Sequence, residues 1–263
     1  MHVQANLYPG GKIRALTMSY DDGRDHDRRL VEIFNRYGIK GTFHLNSGKL
    51  GRDRYLAAEE VASLYAGHEV AVHTVTHPYL ERTATEELVW EVFEDRRNLE
   101  ALVGYPVRGM SYPFGTWNQK VVDQLRALGI VYSRTTRATN GFTIPDEFLT
   151  WHPTCHHKGD ILAKFEAFRK RPWPGQLLYI WGHSYEFAND DNWQLIEDFC
   201  AAAGGDEEIW YATNIEIYDY LMAQRALTLS ADRTMAYNPS AISVWVGVEG
   251  EPVECKPGVV TKF

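Results

Sequence analysis

Short apolar runs rich in β-branched and aromatic residues alternate along the chain with longer amphipathic stretches, and each run ends in a loop carrying polar or glycine residues. The runs at 13–20, 41–46, 69–73, 107–111, 130–133, 177–181 and 209–213 predict strands. The stretches between them predict helices near 26–37, 57–65, 83–103, 117–128, 160–169, 190–203 and 214–225. The helix at 83–103 is the clearest. Leu88, Val92, Leu99 and Leu102 fall on one stripe broken only by Asp95, and Thr83 to Glu86 has the spacing of a capping box.

Strands that alternate with helices imply parallel pairing through right-handed crossovers. Seven such units suit an open α/β sheet or a (β/α) barrel, and the barrel is the favoured expectation: α/β, about seven parallel strands, over residues 1–225. Past 225 the period changes to two. Ile242, Val244, Val246 and Val248 alternate with Ser243, Trp245, Gly247 and Glu249, and Gly250-Glu251-Pro252 has turn composition, so 226–263 reads as a small β-rich C-terminal appendage. It could serve a homodimer contact or cover a barrel edge.

Composition narrows the function classes. With 35 acidic against 27 basic residues and a net charge of -8, the chain has the wrong sign for general attraction to nucleic acid or anionic lipid. No uncharged apolar run reaches the roughly 18 residues that span a bilayer. Three widely spaced cysteines, Cys155, Cys200 and Cys255, form neither a disulfide framework nor a paired zinc motif, and the start of the chain has no signal-peptide pattern, so the expected compartment is the cytoplasm.

Barrels place their ligands at the carboxyl ends of the strands, so polar residues just after the β runs are the candidates for chemistry. Asp21-Asp22-Gly23 follows the first run, His73-Thr-Val-Thr-His77 the third, Arg108 to Gly115 surrounds the end of the fourth, and His183 follows the run at 177–181 after one glycine. An isolated HxxxH pair is more often bland than metal-binding. Asp22 changes its meaning, because one carboxylate with two imidazoles supplies three ligands and leaves positions open for water and substrate. Adjacent carboxylates on an extended segment point to opposite sides, which frees Asp21 for general-base work, and His183 suits a general acid. The cluster Cys155-His156-His157 lacks a distant fourth ligand and makes a poor structural zinc site.

In this order the motifs resemble those of the polysaccharide deacetylase family, the NodB homology domain of carbohydrate esterase family 4, over about residues 10–220. The resemblance implies a distorted (β/α) barrel and a hydrolase that removes acetyl groups from an N-acetylated sugar or glycan. Ser19-Tyr-Asp-Asp-Gly23 is similar to the first motif, with Asp21 as base and Asp22 as metal ligand, and His73 and His77 match the second motif's ligands. Tyr112-Pro-Phe-Gly115 is similar to the end of the third, which implies that the backbone N–H of Phe114 helps hold the developing oxyanion. Trp151 resembles the fourth motif's tryptophan, and His183 the fifth motif's acid.

The implied cofactor is one divalent metal on Asp22, His73 and His77, with zinc the default and cobalt, nickel or iron also suited to an N2O donor set. Tyr112, Trp151 and Trp181, with Phe114, are expected to line the acetyl pocket. Two departures stand out: the family's third-motif arginine would fall at Ser111 and its fourth-motif aspartate at Thr150. Arg108 and Glu147, each three residues upstream, are the expected relocated pair supporting Asp21. Alternatives left open are an allantoinase-like hydrolase of another small amide, an O-acetyl esterase, and a catalytically silent carbohydrate-binding protein.

Overall fold

The computed structural model describes residues 1–263. Eight strands, every pairing between them parallel, form one curled sheet: Arg14–Asp22, Gly41–Leu45, Glu69–Val72, Gly109–Ser111, Tyr132–Arg134, Cys155–His156, Gln176–Gly182 and Ile209–Tyr211. In space the order runs fifth, fourth, third, second, first, seventh, sixth, with the eighth pairing the lower part of the first. This is a distorted (β/α) barrel. The central strand Arg14–Asp22 is buried at every position but the last, because neighbours pair along both of its edges and helices cover the sheet.

Seven predicted strands appear within a few residues of their expected ends; Cys155–His156 was missed because two residues carry no period. The helix predicted at 57–65 is a 3-10 turn, Ala58–Glu60, followed by one helical turn, Val61–Leu64. The stretch at 190–203 forms the helix Trp193–Ala203, and a short helix that was not expected, Ser184–Asn189, precedes it. Thr85–Val103 is the long outer helix, but the expected capping box at Thr83 is absent: Ala84 is the N-cap and has no capping side chain. The helix ends where Gly104 adopts φ 76°, a left-handed conformation that glycine takes without steric cost.

Beyond the barrel the chain forms two three-stranded antiparallel sheets. Val244–Val248 pairs with Glu251–Cys255 as the alternation predicts, although the turn sits at Glu249-Gly250 and Pro252 already lies in the strand. The N-terminal pair Val3–Gln4 adds the third strand, so the appendage draws on both ends of the chain. No helix is long and apolar enough to cross a membrane.

Candidate active site

The carboxyl ends of the strands converge on a cleft of about 460 Å³, lined by Asp21, Asp22, His73, His77, Tyr112, Phe114, Thr136, Trp181, His183 and Tyr185. Asp22 ends the first strand at φ 84°, and His77 and Thr74 take similar left-handed values. Non-glycine residues there carry strain that surrounding structure must hold. The long helix supplies that support. Asp95 accepts from the backbone N–H groups of Ser47 and His73 at 2.7 and 3.0 Å, and Glu91, one turn earlier, accepts from the backbone and hydroxyl of Thr76. Asn46 adds two bonds to the carbonyls of His73 and Thr74.

Asp22, His73 and His77 bring Oδ1 and two Nε2 atoms together, all within 4.8 Å of one another. The Asp22 Oδ1 atom is buried and has no hydrogen-bond partner. It lies 3.8 Å from Nε2 of His73 and 3.9 Å from Nε2 of His77. His73 donates from Nδ1 to the carbonyl of Ser111 at 2.9 Å, which leaves Nε2 as its lone-pair nitrogen. Burial lowers the pKa of both imidazoles, that of His77 to about 4, so both are neutral at pH 7. Two neutral imidazoles and an orphaned carboxylate oxygen fit a divalent cation with an N2O preference.

Asp21 points to the other side of the strand end. Its Oδ1 accepts from Ser111 Oγ at 3.0 Å, its Oδ2 from Nη2 of Arg134, and His44 Nδ1 stands 3.4 Å away. Burial alone would raise its pKa, but the Arg134 guanidinium, aided by His73 and His44, outweighs that and holds the carboxyl far below the ordinary range. Arg134 is fully buried, donates to Ser19 Oγ and the Thr135 carbonyl at 3.1 Å each, and lies 4.4 Å over the Trp181 ring.

The expected supporting pair is therefore corrected. Arg108 pairs with Asp219 at 2.6 Å and Glu147 with Arg126 at 2.9 Å, both on the outer surface. Arg134 does the work instead. The predicted strand ended at 133, one residue short of it, and an arginine at a strand end was the signal available in the sequence.

His183 lies across the cleft, where its Nδ1 and its backbone N–H both donate to Oε2 of Glu186 at 3.1 Å. Burial opposes its protonation, but Glu186, with Asp21 and Asp22, more than offsets this and raises its pKa above that of an ordinary histidine. Glu186 also meets Nε2 of His156 at 3.0 Å and of His157 at 3.5 Å. His157 is buried, and it fills the space beside Gly182, where a Cβ would come within 2.0 Å of its ring. Cys155 sits in the core, apart from that carboxylate.

Of the expected pocket residues, Tyr112, Trp181 and Phe114 line the cleft, and Phe114 stacks on Tyr79 with centroids 3.8 Å apart. Trp151 does not. It packs edge-on against Tyr132, Phe148 and Tyr179 in a separate buried cluster, where its size serves packing. Thr136 and Tyr185 complete the lining, and no sequence period marked either.

The comparisons agree with this architecture. The polysaccharide deacetylase family model matches residues 9–133, and over those residues the chain is similar to that family. A chitooligosaccharide deacetylase of Bradyrhizobium sp. is 29% identical over 112 residues, 41% of this chain and 50% of that protein. A peptidoglycan-N-acetylglucosamine deacetylase of Listeria monocytogenes is 23% identical over 114 residues, 43% of this chain and 24% of that protein. The chain thus spans a quarter to a half of the length of these relatives. The carbohydrate esterase family 4 domain of a multidomain xylanase from the hindgut metagenome of Trinervitermes trinervoides shares the fold, with a TM-score of 0.55 at 18% identity over 81% of this chain and 92% of that one.

Proposed function

We propose that the chain is a metal-dependent deacetylase that hydrolyses the acetamide of an N-acetylated sugar or glycan, releasing acetate and a free amine. One observation carries the reading: the Asp22, His73 and His77 donor set shares a cleft with an ionised Asp21 on one side and a carboxylate-backed His183 on the other. A silent binder needs neither a free base nor a positioned acid. The family match and the deacetylase relatives support the substrate class.

A divalent cation, zinc by default, would bind at Asp22, His73 and His77, where it supplies Lewis acidity toward an acyl oxygen and makes water a stronger acid at neutral pH. Asp21, kept ionised by Arg134 and Ser111, accepts the proton of the attacking water. His183 donates from Nε2 to the departing amine while Glu186 holds Nδ1 and balances the charge. Tyr112, Phe114 and Trp181 wall the acetyl group from solvent, and the backbone N–H of Phe114 is the proposed donor to the developing oxyanion. Three free, buried cysteines support a reducing, cytoplasmic setting.

Incubation with N-acetylated and O-acetylated sugars, counting acetate and new amine separately, tests the reading. Equal amounts of both support it. Acetate without amine would move the chemistry to ester cleavage, and neither product would overturn hydrolysis altogether.

A further inference from the structure

Many cations of this acidic chain are paired, among them Arg28 with Glu60 at 2.7 Å, Arg36 with Glu197 at 3.1 Å and Lys40 with Glu216 at 2.5 Å. Arg24 and Lys49 have no such partner. No carboxylate oxygen lies within 4.0 Å of either, although both stand in loops that follow the first two strands at the cleft end of the barrel. The nearby acids are engaged elsewhere, Asp25 with His26 at 2.8 Å and Asp53 with Arg54 at 3.8 Å.

Arg24 is held by aromatic rings and not by a carboxylate. Its guanidinium carbon lies 4.5 Å from the centroid of Tyr55 and 5.2 Å from that of Tyr185, and its buried Nε has no hydrogen-bond partner. Lys49 Nζ approaches the same Tyr55 ring at 5.8 Å. Tyr185 is itself a cleft wall, with its ring 5.1 Å from that of His183. The unpaired charge therefore begins one ring beyond the proposed acid. Aromatic contacts restrict Arg24's side chain, so little freedom is lost when its planar fork meets an anion, and a guanidinium matches carboxylate and phosphate oxygens in pairs.

We propose that Arg24 and Lys49 form an anion subsite, so that the substrate is an acetylated sugar that also bears a carboxylate or a phosphate. The inference rests on the deacetylase reading for the acetyl group, but its test does not. Equilibrium binding to the zinc-loaded chain would be measured for N-acetylglucosamine, N-acetylglucosamine 6-phosphate and N-acetylmuramic acid, with wild type, Arg24→Gln and Lys49→Gln.

The expected result is that one anionic sugar binds about tenfold tighter than the neutral one, as a new charge-assisted contact provides, and that added salt shrinks the ratio. In both variants the ratio falls toward one. The identity of the preferred anion distinguishes phosphate from carboxylate. Equal binding of all three sugars, a preference that survives both substitutions, or no binding of any of them overturns the subsite. Anion preference without acetate release would retain the subsite and sink the deacetylase reading; acetate release without anion preference would do the reverse.

Discussion

Ser111 and Arg134 stand in register on neighbouring strands, and both bond the carboxylate of Asp21. Ser111 stands where the motif resemblance implies an arginine, and Arg134 reaches the same carboxylate from the neighbouring strand. Arg134→Gln leaves a buried carboxylate without its counter-charge, at a cost of about 3–5 kcal/mol. The double variant Asp21→Asn/Arg134→Gln is expected to melt at a higher temperature than Arg134→Gln alone. Acetate release by Arg134→Gln should fall on the order of a hundredfold in kcat with little change in KM, because the base is misplaced rather than the substrate. Restoring the family arrangement with Ser111→Arg/Arg134→Ser should recover part of that loss; no recovery and no stability coupling would contradict the account.

The cleft position of the proposed metal and base residues was legible in the sequence because a strand exit fixes where short motifs point: Asp21, Asp22, His73, His77 and His183 all lie on one cleft. The supporting residues were not. Asp95 looked like a flaw in the apolar stripe of the long helix, yet it is fully buried and bonds the loop that carries the histidines. Periodicity registers a buried acid only as an interruption, since the partner lies 22 residues away in sequence. Trp151 failed for a related reason: motif resemblance gave its position along the chain, while its side-chain direction depends on the packing of Tyr132, Phe148 and Tyr179.

Glu186 gives a prediction with a definite sign. Its charge favours the protonated form of His183, so activity that needs the acid is lost as pH rises through that raised pKa. In Glu186→Gln the support is gone and burial remains, so the alkaline fall in kcat/KM should move to lower pH, with the rate at neutral pH down on the order of tenfold to a hundredfold. A pH profile with an unmoved alkaline limb would show that Glu186 does not act through His183.

Buried carboxyls should also contribute to the pH dependence of stability. Burial raises Asp27, which accepts from the Tyr65 hydroxyl at 2.6 Å, to about 7, and raises Glu69 to about 7 as well. A group whose pKa rises on folding stabilises below the ordinary carboxylate pKa and loses that contribution as pH climbs to about 7. Asp21 and Glu186 are depressed instead, so their contribution is lost only as pH falls through and below the ordinary range. Each raised carboxyl therefore contributes a decline between about pH 5 and 7 of at most about 1.4 kcal/mol per pH unit, while the buried histidines His44, His68 and His157, whose pKa is lowered, contribute a rise with pH over the same window. Thermal melts of Asp27→Asn at pH 5 and 7.5 are expected to differ from wild type by the loss of Asp27's share, so that the variant is relatively more stable at pH 7.5 than at pH 5; an unchanged difference between the two pH values would exclude Asp27 as a contributor.

The central claim is that one cation site and one ionised base in the same cleft hydrolyse an acetyl group. Its most direct test strips the chain with chelator, restores zinc, and follows bound metal and acetate release together in wild type, Asp22→Ala and Asp21→Asn. The account predicts zinc bound at the Asp22 site and acetate release that returns with zinc in wild type, loss of both metal and activity in Asp22→Ala, and retained metal without activity in Asp21→Asn. Acetate release that survives stripping, or that persists in Asp21→Asn, would contradict it.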